Sequence, residues 1–303
     1  MKAAVLHEYG PPSNLKYEDF EDPRPNDGEV LVRVHFIGVN PIDWKIRSGA
    51  MKGQFQISFP AILGYDLAGM VSEVGKGVVD FAVGDRVFAR TGSAYAELGI
   101  VKARELAKVP EKLDLSMAAA LPVVSTTADQ LIREQAEVKS GQTILLTGAM
   151  GSVGRLALFC ALQQGAQVIA GVRKHQIEEA MALGAIQVID IGDDRAIEAL
   201  SPLDAVADTI GGPLAPKLLA HIKPGGIYAS VVGPPRDIEP HAQVRIKAFG
   251  SHPDARAITR YAQAITDGRL VFPIDAILPL AEAAKAHEKG EKGGIKKILL
   301  RTQ

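Results

Sequence analysis

A glycine-rich turn between a short apolar run and an apolar helix limits what this chain can fold into more than any other feature. The run at 144–146 is short enough for a buried strand, and Gly148, Gly151 and Gly154 follow it at once. Residues 155–163 then read as a helix. Strand, glycine turn and helix in this order are typical of a dinucleotide-binding motif, in which free N–H groups at the helix start hold a pyrophosphate. Gly154 is expected to let helix and strand pack closely.

The rest of this region alternates between strand-like and helix-like stretches. A second buried-type run follows the glycines at about the 20-residue spacing that the motif requires. The predicted strands are 143–147, 166–172, 187–191, 204–209, 226–232 and 243–249, and the helices between them include 176–183 and 214–221. This alternation predicts a parallel sheet with helices on both faces.

The first 120 residues or so have a different pattern, with many short strands separated by Gly and Pro. The predicted strands are 2–7, 29–37, 64–75, 84–88 and 94–101, followed by helices at 116–121 and 126–134. This pattern favours a small β-barrel. Beyond residue 268, strands at 272–278 and 295–301 flank a helix at 280–289. Periodicity alone leaves open whether they extend the parallel sheet or return to the first unit.

Composition excludes several classes of partner. The net charge is −1 and the isoelectric point is about 6.7, so nothing draws the whole molecule to nucleic acid or to an anionic membrane. No apolar run reaches the ~18 residues of a membrane span, and the N-terminus does not read as a signal peptide. The single cysteine, Cys160, excludes an internal disulfide and a multi-cysteine metal site. We expect a soluble cytoplasmic protein.

Several motifs in a fixed order resemble one family along nearly the whole chain. They are 40–49, 63–69, 84–87, Ala149-x-Gly151-x-x-Gly154, 183–185, Asp208-x-x-Gly-Gly212, 223–226 and the closing 297–300. This series resembles the medium-chain dehydrogenase/reductase superfamily, in its zinc-independent branch of NADPH:quinone oxidoreductases and enone reductases. The resemblance implies a discontinuous GroES-like β-barrel catalytic domain (1–120 and 268–303) and a Rossmann NADP-binding domain (121–267). It also implies that the nicotinamide meets a small-molecule substrate in a cleft, and homodimers are common in the family.

The resemblance and the residues together predict that no metal is bound. Zinc-dependent relatives carry Gly-His-Glu where this chain has Gly64-Tyr65-Asp66, and no cysteine stands near 37–40. The seven histidines are dispersed without ligand spacing, whereas catalytic zinc needs three converging protein ligands. Without zinc to polarise an alkoxide, reduction of an activated acceptor fits better than alcohol oxidation.

Two basic residues predict the identity of the cofactor. In NAD enzymes an acidic residue ends the second strand of the motif, but here Val172 is followed by Arg173 and Lys174. A cationic pair attracts the 2′-phosphate of NADPH, which Arg can bind through two hydrogen bonds. The alternative is that both cations only solvate a helix start. Because cations oppose the dipole at a helix N-terminus, we favour NADPH.

The resemblance assigns further residues to the cofactor. Those at or near the nicotinamide and pyrophosphate are Asn40, Thr127, Ala149, Met150, Gly151, Ser152, Val153, Gly154, Val232 and Gly233. For Thr127 the alternative is a helix-capping hydroxyl. Lys296 stands before Lys297 where relatives usually have glycine, which leaves open whether Lys297 reaches the cofactor.

Two residues are candidates for the chemistry. Lys45 stands where many quinone reductases have Tyr and some enone reductases have Lys, and its ammonium would stabilise the enolate formed by hydride addition and supply a proton. The alternative for Lys45 is a surface lysine. Tyr65 would line the substrate pocket or donate its hydroxyl. The predicted function is hydride transfer from NADPH to a quinone or an α,β-unsaturated carbonyl; an enoyl-thioester reductase and a non-catalytic NADPH-binding protein remain alternatives.

Overall fold

A computed structural model describes residues 1–235, 243–294 and 296–302. The chain forms two compact units, Met1–Val123 with Pro253–Gln303, and Val124–His252. The first residue of the strand expected at 295–301 lies outside the described residues.

The described residues contain sixteen strands and nine α-helices, numbered along the chain. The strands are β1 (Lys2–Leu6), β2 (Leu15–Asp19), β3 (Glu29–Val39), β4 (Ala61–Ile62), β5 (Asp66–Val74), β6 (Arg86–Arg90), β7 (Leu98–Lys102), β8 (Leu106–Lys108), β9 (Thr143–Thr147), β10 (Gln167–Val172), β11 (Gln187–Asp190), β12 (Leu203–Asp208), β13 (Ile222–Ser230), β14 (Arg245–Ala248), β15 (Ala276–Pro279) and β16 (Ile298–Arg301). The helices are α1 (Pro41–Arg47), α2 (Leu115–Ala119), α3 (Pro122–Gln130), α4 (Ser152–Gln163), α5 (Ile177–Ala182), α6 (Asp194–Glu198), α7 (Leu214–Leu219), α8 (Ala255–Thr266) and α9 (Ala283–Glu291). A π-helical turn, Leu131–Gln135, continues α3.

The first unit is built on the long strand β3. β3 pairs antiparallel with β5, β7 and β16, and the sheet runs β15-β16-β3-β5-β6-β8. A smaller sheet of β2, β1 and β4 packs beside it, and the inward side chains of both contribute to one apolar cluster. Because β16 pairs with β3, the last strands join the sheet of the first unit, which is the point that periodicity left open.

Some elements of the first unit were not expected from the pattern. β2 exposes most of its side chains and buries only Leu15, so it lacks the alternation that marks a half-buried strand. Helix α8 carries a readable start signal, because the Asp254 carboxylate accepts hydrogen bonds from the N–H groups of Arg256 and Ala257.

The second unit is a six-stranded parallel sheet in the order β11-β10-β9-β12-β13-β14. From the centre of the sheet, β9, β10 and β11 follow one another toward one edge, and β12, β13 and β14 follow one another toward the other edge. The strand order therefore reverses between β9 and β12, and ligands of such sheets bind beyond the carboxyl ends of the strands at this reversal. The mixed α/β class predicted from the sequence is confirmed, with helices α4 to α7 connecting the parallel strands.

Candidate functional site

The glycine turn of the second unit lies at the reversal of strand order, between β9 and α4. Gly148 adopts a left-handed conformation with φ of +63°. A Cβ on Gly154 would lie 2.0 Å from the Gly148 carbonyl oxygen and 2.8 Å from the Ala149 Cα, so only glycine fits there. The first turn of α4 therefore packs directly on the turn, as expected from the motif.

The same turn presents the start of α4 at the carboxyl edge of the sheet. Ala149 and Met150 are buried beneath the surface of the turn. Gly151 is exposed, and Ser152 and Val153 are half-buried. The helix dipole favours an anion at such a helix start, because the first backbone N–H groups have no acceptor within the helix itself. The turn is therefore chemically suited to a pyrophosphate.

Arg173 and Lys174 follow β10 at the same edge of the sheet. Both side chains are exposed, and the Arg173 N–H donates to the Gln176 side chain at 3.2 Å. Neither cation forms an ion pair with another described residue. Two uncompensated cations beside the second strand are suited to a phosphate ester.

Thr127 and the turn after β13 supply the other predicted cofactor residues of this unit. Thr127 lies inside α3 rather than at its start, so the helix-capping alternative is excluded. Its hydroxyl is paired with the Ser251 hydroxyl at 2.7 Å. Val232 is 40% exposed, and Gly233 has φ of +112°. These two residues form an open turn at the carboxyl end of β13.

A buried ionic network in the first unit surrounds Asn40. The Asn40 amide donates to Asp66 Oδ2 at 2.7 Å and accepts from the Lys297 ammonium at 2.8 Å. That ammonium also lies 3.0 Å from Asp66 Oδ2, and the Val123 N–H donates to Asp66 Oδ1 at 2.6 Å. Asn40, Asp66 and Lys297 are each at most 2% exposed. Only one orientation of the Asn40 amide satisfies both neighbours, so the network fixes it.

A second buried series of hydrogen bonds begins at Asp43, three residues beyond Asn40. Asp43 Oδ2 accepts from the Asn40 N–H at 2.8 Å and from the Tyr95 hydroxyl at 3.0 Å. Tyr95 is also 2.9 Å from His287 Nε2. Because the single Tyr95 proton goes to Asp43, His287 must donate from Nε2. The His287 ring therefore carries a proton on Nε2.

The pKa values of the three side chains in this series are shifted mainly by their burial. Burial is the main cause that raises the pKa of Asp43 to about 7, opposed by the hydrogen bond from Asn40. Burial, followed by the Arg47 charge, lowers the pKa of His287 to about 3. Burial, followed by the Asp43 charge, raises the pKa of Tyr95 well above its usual value.

The two candidate catalytic residues lie in the first unit. Lys45 is exposed on α1, and its ammonium makes no hydrogen bond or ion pair within the described residues. Tyr65 is half-buried at the position before β5. Burial and the Asp43 charge raise the pKa of Tyr65, with the Arg90 charge opposing them. Tyr65 is therefore a protonated hydroxyl at neutral pH.

Sequence reasoning gave no role to several residues that the fold brings together. In the sequence Asp66 stands only within a replaced zinc motif, and no motif marks Tyr95 or His287 as site residues. Asn40 and Lys297 are 257 positions apart, so no local pattern connects them. The contact from the Asn40 N–H to Asp43 spans three residues and had a readable signal, since Asn at a helix start with an acidic residue three positions on resembles a capping box.

Comparisons with known proteins agree with this fold. Residues 26–111 match the family described as alcohol dehydrogenase GroES-like domain, and residues 183–296 match zinc-binding dehydrogenase. A 2-haloacrylate reductase from Burkholderia sp is 31% identical over 94% of each chain. An NADPH-dependent alkenal/one oxidoreductase from Arabidopsis thaliana is 32% identical over 77% of this chain and 63% of its own. The solved quinone oxidoreductase of Coxiella burnetii is 30% identical, with a TM-score of 0.89 over 100% of this chain and 99% of its own.

The second family description names zinc, but the residues of this chain do not fit a catalytic zinc. No group of three or more His, Cys, Asp or Glu side chains within the described ranges is arranged to hold a metal ion. Tyr65 stands in place of a histidine ligand, and the Asp66 carboxylate is bonded to the Lys297 ammonium and the Asn40 amide. An ammonium beside Asp66 repels a divalent cation.

The matches extend over both units, and relatives of 30% identity or more cover almost the whole chain. No helix in the described ranges is long and apolar enough to cross a membrane. The chain belongs to the medium-chain dehydrogenase/reductase superfamily of nicotinamide-dependent oxidoreductases, in the group that contains the quinone oxidoreductases.

Proposed function

We propose that this protein is an NADPH-dependent, zinc-independent reductase that transfers hydride to a quinone or to the C=C bond of an α,β-unsaturated carbonyl. Relatives named for quinones, for alkenals and enones, and for 2-haloacrylate support this substrate class. All of these acceptors are electron-poor and conjugated, so they accept hydride without prior activation by a metal.

The observation that carries the choice of NADPH is the exposed pair Arg173 and Lys174 directly after β10. Neither side chain is ion-paired with a carboxylate of the described residues, so a 2′-phosphate would gain two charge-assisted contacts. NADH lacks this phosphate, and no acidic side chain follows β10 to bind its ribose hydroxyls.

The remaining cofactor residues are assigned by the same proposal. The residues from Ala149 to Gly154 would hold the pyrophosphate, while Thr127, Val232 and Gly233 would lie at the nicotinamide end. Asn40 would contact the nicotinamide ribose or carboxamide. The Asn40 Nδ2 group donates to Asp66 Oδ2 at 2.7 Å and lies 3.4 Å from the Gly38 carbonyl, and its Oδ1 accepts from the Lys297 ammonium at 2.8 Å. Asn40 would therefore offer the cofactor only the second lone pair of Oδ1. Bound NADPH supplies the hydride, and the protein aligns it and excludes water.

Lys45 and Tyr65 are proposed to act on the acceptor. Hydride addition to a β-carbon builds negative charge on the carbonyl oxygen, which an ammonium or a hydroxyl stabilises. Lys45 is a cation without a described partner, and the raised pKa of Tyr65 keeps its hydroxyl as a donor. Either group can return a proton to the reduced product.

Several broader assignments belong to the same proposal. We propose that the unit Met1–Val123 with Pro253–Gln303 is the catalytic domain expected at 1–120 and 268–303, and that Val124–His252 is the NADPH-binding domain expected at 121–267. A net charge of −1 supports a cytoplasmic protein without nucleic-acid or membrane partners. A homodimer is proposed from the family resemblance alone, and light scattering would measure its mass.

The test follows NADPH oxidation by its absorbance with 1,2-naphthoquinone in one reaction and a 2-alkenal or an enone in another. Reactions with NADH and without acceptor serve as blanks. Turnover with either acceptor and a preference for NADPH is expected. NADPH binding without turnover would instead favour a thioester substrate or a non-catalytic role, and lack of NADPH binding would contradict the whole proposal.

The role of Lys45 is tested with Lys45→Met and a matched control, Lys112→Met, which removes another exposed lysine of the same unit. If Lys45 stabilises the enolate, Lys45→Met should lower kcat/KM for the enone about 100-fold, a typical loss for one oxyanion-stabilising donor. The NADPH affinity of Lys45→Met should equal that of the wild type, and Lys112→Met should keep the wild-type kcat/KM for the enone. Equal enone turnover in both variants would show that Lys45 is a surface lysine without a catalytic role.

A further inference from the structure

Asp208, at the carboxyl end of β12, is a buried carboxylate that the predicted cofactor residues do not include. It is 1% exposed. Its Oδ1 accepts from the Thr147 hydroxyl at 2.7 Å and from the N–H groups of Ile210 and Gly211 at 3.1 and 3.0 Å. One oxygen therefore joins the end of β9 to the turn that follows β12.

The other oxygen of Asp208 reaches β13. Its Oδ2 accepts from the Tyr228 hydroxyl at 2.8 Å and from the Ser230 hydroxyl at 3.1 Å. The Ser230 Oγ in turn accepts from the Val232 N–H at 3.2 Å. Burial, and then the Asp208 charge, raises the pKa of Tyr228, so its hydroxyl stays a donor. The turn after β13 is thereby tied to the same carboxylate.

The three turns joined by Asp208 are packed tightly against one another. A Cβ on Gly148 would lie 2.5 Å from the Thr209 Oγ1, and a Cβ on Gly211 would lie 2.6 Å from the Val232 Cγ2. Ile210 and Val232 nevertheless expose 43% and 40% of their surface. Two exposed apolar side chains on closely packed turns, beside the glycine turn, form a surface on which a cofactor can lie.

We propose that Asp208 is a positioning residue for the dinucleotide, because its two oxygens set the relative positions of the turns after β9, β12 and β13. Asp208 does not touch the cofactor in this proposal. Asp208 acts through the backbone of Gly211 and Val232 and through the end of β9. The proposal rests on the proposed cofactor site at this edge of the sheet. A carboxylate is suited to this position since it accepts from five donors at once without donating to any of them.

The test compares Asp208→Asn with Asp204→Asn, a matched control at the opposite end of the same strand. Asp204 also joins two strands, accepting from the Thr143 N–H at 2.8 Å and pairing with Lys223 at 2.7 Å. Calorimetric titration measures the Kd for NADPH, and thermal unfolding measures stability. Asp208→Asn is expected to raise the Kd about tenfold, or about 1.4 kcal/mol. The control should lose stability without a change in Kd.

A kinetic measurement separates positioning from general destabilisation. In Asp208→Asn the KM for NADPH should rise, while kcat at saturating NADPH and the KM for the acceptor stay within about twofold. Tyr228→Phe and Ser230→Ala remove single donors and should raise the Kd by smaller factors, which keeps the test available if Asp208→Asn does not fold. An unchanged Kd in all three variants, or an equal rise in Asp204→Asn, would overturn the inference. Lack of NADPH binding by the wild-type protein would instead overturn the proposed function.

Discussion

Replacing Lys297 with methionine should strongly destabilise the first unit. The Lys297 ammonium and the Asp66 carboxylate are 3.0 Å apart and almost completely buried. Methionine keeps most of the side-chain volume but leaves the carboxylate without its cation. Removing one partner of a buried ion pair costs about 3–5 kcal/mol, because the other charge stays buried without compensation.

The surroundings of Asp66 place the expected cost at the lower end of that range. Two hydrogen bonds to the carboxylate remain in the variant, from the Asn40 amide at 2.7 Å and from the Val123 N–H at 2.6 Å. The Arg90 guanidinium also interacts electrostatically with Asp66. We therefore expect a loss of about 3 kcal/mol in the free energy of unfolding.

The chain provides its own probe for this measurement. Trp44 is the only tryptophan and lies on α1, 6.2 Å from the His287 ring within the first unit. Its fluorescence during urea unfolding therefore reports on the unit that contains the ion pair. The control Lys112→Met removes an exposed lysine and should change the free energy of unfolding by no more than about 0.5 kcal/mol.

The double variant distinguishes an ion pair from lost packing. In Lys297→Met with Asp66→Asn no charge of the pair remains, and the Asn40 amide can turn to accept from the amide group introduced at position 66. This variant should be more stable than Lys297→Met alone. A cost for Lys297→Met no larger than that of the surface control, or a double variant less stable than either single one, would refute the argument.

Three other changes have outcomes that follow from the described contacts. Replacing Arg173 and Lys174 together with alanine should raise the KM for NADPH about 100-fold or more and leave that for NADH unchanged, since each of the two lost charge-assisted bonds contributes about 1.5–3 kcal/mol. Steady-state kinetics with both cofactors measures this, and an unchanged KM for NADPH would show that the two cations only solvate the helix start. Gly154→Ala places a Cβ 2.0 Å from a backbone oxygen and should cost about 1–3 kcal/mol of stability and weaken NADPH binding, whereas Gly250→Ala, with no neighbour within 4 Å, should do neither. Asp43 has a pKa raised from 3.8 to about 7, so the folded state holds its proton more tightly and this contribution to stability is lost as pH rises from about 4 to about 7. The lowered pKa of His287 makes stability change with pH in the opposite direction. The contribution of Asp43 is therefore measured as the difference in the free energy of unfolding between wild type and Asp43→Asn, from urea unfolding at several pH values. A difference that does not change with pH would contradict the raised pKa of Asp43.

The parts of the fold that were predictable from the sequence are those with local signals. The glycine turn before α4 lies within seven residues, and its conformation follows from positions where only glycine fits, as Gly148 and Gly154 show. Strands β9, β10 and β12 are short apolar runs, fully or almost fully buried in a parallel sheet. In such elements the residues that determine the structure are close together in the sequence.

The polar networks could not be predicted because their partners are distant in the sequence. Tyr95 and His287 are 192 positions apart, and the second unit is inserted between them. His287 lies on a helix rich in Ala, Lys and Glu, which gives no sign that its imidazole is completely buried. Only the pairing of β16 with β3 brings Lys297 to Asn40, and periodicity did not determine that pairing.

The two buried carboxylates differ in how they are neutralised, and this decides which substitution tests each of them. Asp66 is paired with the Lys297 ammonium, so a neutral residue at either position strands the opposite charge. Asp208 receives five hydrogen bonds from hydroxyl and N–H groups, and it forms no ion pair with a residue in the described ranges. Asp208→Asn therefore removes a charge without stranding another one. At Asp208 a single neutral substitution, compared with its control Asp204→Asn, therefore tests the role of the carboxylate, whereas at Asp66 only the double variant separates the loss of the charge pair from the loss of packing.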